Sequence, residues 1–191
     1  AQAALDTGIR AVLSRGLSGS PDDGHGSNPR LGQAISLYNT WKDRETLSFA
    51  IGPHAPYSCD EAYMREAAQA AEEYGLPVSI HLSESKNEVE NAMKQYGCTP
   101  IALADRCGLL TDRTVAAHCV YATDEDIALM ARRGVSVATN PISNLKLANG
   151  VAPVGKFVKA GKNVCLGTDG ASSNNALNMF RDLGVLTLIH K

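Results

Sequence analysis

The sequence predicts an α/β protein, a parallel sheet of about six strands that alternate with helices and curl into part of a TIM-like barrel. Three observations carry this expectation. Apolar runs of strand length recur along the 191 residues. Most of the segments between them carry residues that start and stop helices. The runs are continuous rather than alternating, the pattern of strands buried on both faces of a parallel sheet. A doubly wound sheet is the competitor, but the G-x-G-x-x-G turn expected after its first strand is absent,.

In chain order, residues 1–7 read as a helix and 9–13 (IRAVL) as the first strand. Residues 18–30, rich in Gly, Asp, Ser and Pro, form a long rim loop with His25 solvated on it,. The second strand is 47–51; Ser58 and Glu61 then make a capping-box pattern for a helix that turns Met64, Ala67, Ala68 and Ala71 inward and stops at Gly75,. After the third strand, 77–80, Ser85 and Glu88 open a helix with Val89, Ala92, Met93 and Tyr96 inward and Gly97 as its end. Thr99–Pro100 starts another that runs to Gly108,. The fourth strand, 114–117, leads to a helix begun by Thr123 and Asp126, carrying Ile127 and Met130 and ended by Gly134. The fifth strand is 135–139, a short helix runs from Pro153 to Gly161, the sixth strand is 163–166, and 177–191 is again helical. Six strands do not close an eight-stranded barrel, and the chain opens and stops within helices. We therefore expect one partial-barrel catalytic domain over 1–191, the middle and later part of a longer protein.

Composition narrows the function. With 18 basic and 20 acidic residues the chain has no basic stripe to follow a nucleic-acid backbone,. No apolar run approaches the ~20 residues that span a bilayer. The five cysteines, an odd number with no C-x-x-C, fit free thiols in a reducing cytoplasm better than disulfides,. The open edges of a partial barrel favour association, so a homo-oligomer is expected.

The reactive residues gather at strand ends, where a barrel presents its chemistry. His81 ends the third strand in H-L-S-E, with Glu84 three residues on; an imidazole ligand and a carboxylate beside the bound water make a hydrolytic pair, although a hydrogen-bonded structural histidine is the plainer reading. Asp169, in T-D-G-A-S-S, serves equally as a ligand able to take the water's proton or as a helix N-cap. His118 either packs or donates to a developing oxyanion. His54, in G-P-H-A-P-Y, is held between two prolines and suits substrate contact, though such turns also occur without function. The polar run N-P-I-S-N-L-K-L, 140–147, is placed to tie rim loops together. Taken jointly, these residues point to a metal-activated water attacking a small molecule.

The runs G-P-H-A-P-Y, H-L-S-E, A-H-C-V, N-P-x-S-N-x-K-L and L-G-T-D-G-A-S-S-N-N, covering essentially the whole chain, resemble the amidohydrolase superfamily. The nearest branch is that of the 5-methylthioadenosine/S-adenosylhomocysteine deaminases, with s-triazine hydrolases and guanine deaminases as neighbours. The resemblance implies a distorted (β/α)₈ barrel with a terminal β-sandwich, of which this chain lacks the sandwich and the first strands. It implies one divalent ion, zinc with iron as the alternative, held by His81 and Asp169. Catalysis falls to Glu84, which carries a proton to the ring, to His118, which steadies water or oxyanion, and to Asp169. Substrate contacts fall to His54, Glu84 and Arg30, with Arg15 a second arginine. The implied activity is hydrolytic deamination of an adenine nucleoside, with triazine or guanine hydrolysis, or an inactive fragment, as alternatives. Family members carry an H-x-H pair on the first strand, and this chain contains no H-x-H.

Overall fold

The computed structural model describes residues 1–22, 24 and 27–191; His25 lies outside the described residues. Its frame is a six-stranded sheet in the order β1-β2-β3-β4-β5-β6. The strands are β1 Ala11–Leu17, β2 Leu47–Pro53, β3 Val78–Leu82, β4 Thr114–His118, β5 Ser136–Thr139 and β6 Val164–Leu166. Every neighbouring pair is parallel. Parallel neighbours need a crossover between them, and helices supply it: α2 Pro29–Trp41, α3 Glu61–Glu73, α4 Lys86–Tyr96, α5 Pro100–Arg106, α6 Asp124–Arg133, α7 Pro141–Lys146 and α8 Val154–Lys159, with α1 Gln2–Thr7 and α9 Met179–Ile189 at the two ends. All strand ends that carry chemistry therefore face one rim.

The core lies between the helices and one face of the sheet. Phe49, Ile51, Val78, Ile80, Leu82, Ala116 and Val137 pack there against Met64 and Ala67 of α3, Ile101 and Leu103 of α5, Ile127 and Met130 of α6 and Phe157 of α8. Each large apolar side chain so buried contributes ~1.5–3 kcal/mol. The expectation of burial on both faces fails. The alternate residues Ser48, Ser79 and Cys165 are exposed, and Val115, Ala117, Ser136 and Ala138 half-buried, because no second layer of the described residues covers that inner face. Its strand residues are mostly small, Ser48, Ser79, Ala117, Ser136 and Ala138 among them.

Local chemistry explains most helix boundaries. Thr123 and Asp126 form a reciprocal capping box at the start of α6, and the helix ends at Gly134 with φ 77. A side chain there would be strained by that φ and would meet Asp112 Cα at 3.0 Å. Three expectations change. The cap of α3 is Asp60, whose carboxylate accepts the Tyr63 amide at 2.7 Å; Ser58 lies two residues too far upstream and bonds His54 instead. Met93 is exposed, because α4 turns Glu88 and Ala92 inward. The first strand also starts later than expected, at Ala11, leaving Ile9 exposed. Among the described residues no helix is long and apolar enough to cross a membrane, and all five cysteines are free.

Candidate metal centre

Three strands deliver three imidazoles to one cleft. His54 follows β2, His81 lies near the end of β3 on its inner face, and His118 ends β4. The His54 and His81 ring centroids are 5.0 Å apart, and His81 stacks on His118 at 5.3 Å. Asp169 arrives from the loop after β6. The cleft, about 260 Å³, is walled by these four residues with Tyr57, Glu84, Leu147, Ser172 and Ser173. One ligand atom from each of His81, His118 and Asp169 lies within 4.8 Å of the other two.

Hydrogen bonds set which atoms face the cleft. His81 Nδ1 lies 2.8 Å from the His54 carbonyl oxygen. A carbonyl only accepts, so Nδ1 carries the proton and Nε2 is left bare, the orientation of a ligating histidine. His118 is 1% exposed, and its Nδ1 lies 2.8 Å from Asn144 Oδ1; its Nε2 is likewise bare and 3.9 Å from Glu84 Oε2. The Asn140 amide nitrogen, 3.3 Å from the same Nδ1, would need the opposite tautomer, and the shorter contact decides against it,. His54 Nδ1 pairs with the Ser58 hydroxyl at 2.6 Å. Burial, reinforced by His81, holds the His54 imidazole below its usual pKa, against the opposing pull of Glu84 and Asp169.

Asp169 is held as an anion. Partial burial pushes its pKa upward, but Ser143 Oγ at 2.6 Å, Ser173 Oγ at 2.8 Å and the Gly170 amide at 2.7 Å all donate to the carboxylate and bring it below the ordinary value,. It caps no helix; Asn178 does that for α9. Glu84 Oε1 accepts from Asn149 Nδ2 at 3.0 Å. Tyr57 stands edge-on to His54 at 5.5 Å, and its hydroxyl is pushed up to about 12 by burial, then by Glu84 and Glu88. Behind the cleft, burial pushes the Glu88 carboxyl up to about 7, against three backbone hydrogen bonds that pull it down.

The backbone is strained where these groups are presented. Ser83 (φ 49), His118 (φ 68), Cys119 (φ 49) and Asp169 (φ 61) are non-glycine residues in the left-handed region, at a cost of order 1–3 kcal/mol each. His118 shows the use of this. It stands in register with Leu82, in the row of residues that face the helices, and its change of φ turns the ring onto His81 instead.

His54, His81, Glu84, His118 and Asp169 thus share one cleft. Arg15 and Arg30 do not reach it. They line a neighbouring hollow of about 610 Å³ with Ser18, Gly19, Asn28 and Gln33, where Arg15 Nε donates to Gln33 at 3.1 Å. Arg30 sits inside the first turn of α2 rather than before it. Ser143 and Asn144, on α7 within the N-P-I-S-N-L-K-L run, and Ser173, in T-D-G-A-S-S, orient the cleft residues, as does Asn149; from sequence, the first run is expected only to tie rim loops together, and none of the four to join the site. The donor set fits a divalent ion: two bare imidazole nitrogens and an ionised carboxylate converge at ligand spacing.

The comparisons with known proteins agree with this geometry. The chain is 43% identical over its whole length to a 5-methylthioadenosine/S-adenosylhomocysteine deaminase of Desulforudis audaxviator, of which it covers 44%. It is 40% identical, again over its whole length, to a 5'-deoxyadenosine deaminase of Methanopyrus kandleri, covering 44% of that protein. Among solved structures, an adenosine deaminase from Xanthomonas campestris with bound zinc superposes with a TM-score of 0.90 at 35% identity, over 99% of this chain and 44% of that one. The chain therefore spans less than half the length of these relatives. The amidohydrolase family model matches residues 1–191, and the chain belongs to the amidohydrolase family.

Proposed function

We propose that this chain is the metal-binding part of a hydrolytic deaminase acting on an adenine nucleoside of the 5-methylthioadenosine or S-adenosylhomocysteine type, releasing ammonia. The observation that carries the reading is the convergence of His81, His118 and Asp169 donor atoms within 4.8 Å beside the Glu84 carboxylate. His81 and Asp169 hold the ion; zinc is placed before iron because the superposing adenosine deaminase of Xanthomonas campestris has bound zinc. When bound, the ion supplies Lewis acidity and lowers the pKa of a coordinated water toward neutrality.

The chain's own residues do the rest. Glu84 gives a proton to the purine ring nitrogen, which makes the amino-bearing carbon electrophilic. Water adds to that carbon and Asp169 takes its proton. His118, its Nδ1 proton tied to Asn144, accepts from the attacking water through its bare Nε2 and so orients it,. Asp169, a weak base because its three donors stabilise the anion, passes its proton to the departing amine, which leaves as ammonia. Glu84 recovers a proton from the new hydroxyl as the carbonyl forms. His54 contacts the sugar, and Arg30 and Arg15 in the neighbouring hollow reach the 5′ substituent. The free thiols fit a cytoplasmic enzyme.

The test incubates the complete, zinc-loaded protein with 5-methylthioadenosine and follows ammonia release and loss of the adenine absorbance, with guanine and a chlorotriazine alongside. Preferential turnover of the adenosine derivative is expected. Turnover of guanine or the triazine alone transfers the chain to those branches, and no ammonia from any adenosine derivative refutes the reading.

A further inference from the structure

Glu88 looks in the sequence like an ordinary helix-opening residue, and its backbone plays that part. Its amide donates to Ser85 Oγ at 3.2 Å, as the third residue of a capped helix does. The carboxylate goes elsewhere. In a capping box it returns to the amide of the N-cap residue; here Oε1 accepts the Ser83 amide at 3.1 Å and Oε2 accepts the Glu84 amide at 2.7 Å. Those two peptides form the turn by which the chain leaves β3, and Ser83 holds it at φ 49. Glu88 is 4% exposed. Burying a carboxylate is costly unless its hydrogen bonds are made, and α4 is already capped by the Ser85 hydroxyl. A buried acid here needs another reason.

We propose that Glu88 is a positioning residue: by holding both peptides of the Ser83–Glu84 turn, it fixes the direction from which the Glu84 side chain enters the cleft. The inference rests on the proposed role of Glu84 in proton transfer. At its far end Glu84 is tied by one hydrogen bond, to Asn149, so the aim of the side chain depends on the turn beneath it. With the clamp removed, Ser83 relaxes from its strained φ and the carboxylate swings. Displacement of a reacting group by ~1 Å costs about 100-fold in rate. Glutamine cannot replace Glu88, because it offers one acceptor oxygen and sets an N–H₂ against the second backbone N–H.

The test compares E88Q and S85A with the wild type in the complete, zinc-loaded protein at pH 8. S85A removes the cap of α4 but leaves both Glu88 oxygens in place. In E88Q the amides of Ser83 and Glu84 should exchange with deuterium about tenfold faster or more, and kcat for 5-methylthioadenosine should fall about 10- to 100-fold with KM within about twofold. In S85A exchange at 83 and 84 and kcat should stay near wild type even where Tm falls as far as in E88Q. Equal kcat losses in two variants of equal Tm loss, or unchanged exchange at 83 and 84 in E88Q, overturn the proposal. Should E88Q fail to fold, the wild type decides: both amides must be as protected as that of His81, which bonds the His54 carbonyl at 3.0 Å, and exchange at open-loop rates overturns the clamp. If the wild type deaminates no adenosine derivative, the functional reading fails separately, and the exchange comparison still decides what Glu88 holds.

Discussion

Asn144→Leu removes the acceptor that fixes His118 while keeping the branched shape of the side chain. In the wild type the His118 Nδ1 proton is given to Asn144 Oδ1 at 2.8 Å, and both residues are 1% exposed. Without that acceptor, a buried N–H left unpaired costs ~1–3 kcal/mol. The ring has a way to avoid the penalty: moving its proton to Nε2 leaves Nδ1 free to accept from the Asn140 amide, already 3.3 Å away. The expected stability loss therefore sits near ~1 kcal/mol, the low end of that range. The chemical effect is larger, because Nε2 now presents a hydrogen toward Glu84 and the ligand cluster instead of a lone pair. The nitrogen that orients the attacking water is then lost, and kcat should fall about 10- to 100-fold. Nitrogen-15 NMR of the His118 ring reads the tautomer, and 5-methylthioadenosine turnover the rate. An Asn144→Leu protein with Nε2 still bare and unchanged kcat refutes the reasoning.

Three further outcomes are expected. Gly167→Ala places a methyl group against the Asn140 side-chain oxygen and should cost ~1–3 kcal/mol by overpacking; denaturant melts check it, and a neutral substitution contradicts the packing. Ser143→Ala with Ser173→Ala removes two of the three donors that stabilise the Asp169 anion; in the metal-free protein the Asp169 pKa should rise, measured by carboxyl NMR titration, and an unmoved titration contradicts the account. Burial raises the Glu88 carboxyl from 4.5 to about 7, so the folded state binds this proton more tightly than the unfolded chain does. Its contribution is present in full below 4.5 and is lost as pH rises toward 7, up to roughly 3 kcal/mol. The stability of wild type minus E88Q should thus decline across that window in urea melts, and a flat or rising difference contradicts the shift.

The sheet was legible because strand burial writes itself into composition: the six apolar runs match the six strands to within a few residues. Helix stops were equally plain, since Gly75, Gly97, Gly108, Gly134 and Gly161 all take positive φ. Starts were less plain. Ser58 and Asp60 both suit a cap, and only the turn after His54 decides between them. Met93 was misplaced because hydrophobicity assigns it to the core, whereas α4 turns Glu88 inward, to the Ser83 and Glu84 amides. Of the site, the imidazoles and carboxylates at strand ends could be read directly. The strained φ at Ser83, His118 and Asp169 could not, because none is glycine, and the pairing of Asn144 with His118 spans 26 residues with no local pattern to announce it.

The central claim is that His81 and Asp169 hold one divalent ion beside Glu84 and His118. A zinc-edge anomalous difference map from crystals of the complete protein tests it most directly. The account predicts a single strong peak bonded to His81 Nε2 and the Asp169 carboxylate, facing Glu84 across the cleft; a map without that peak from zinc-loaded protein, or with the ion held by other residues, contradicts it.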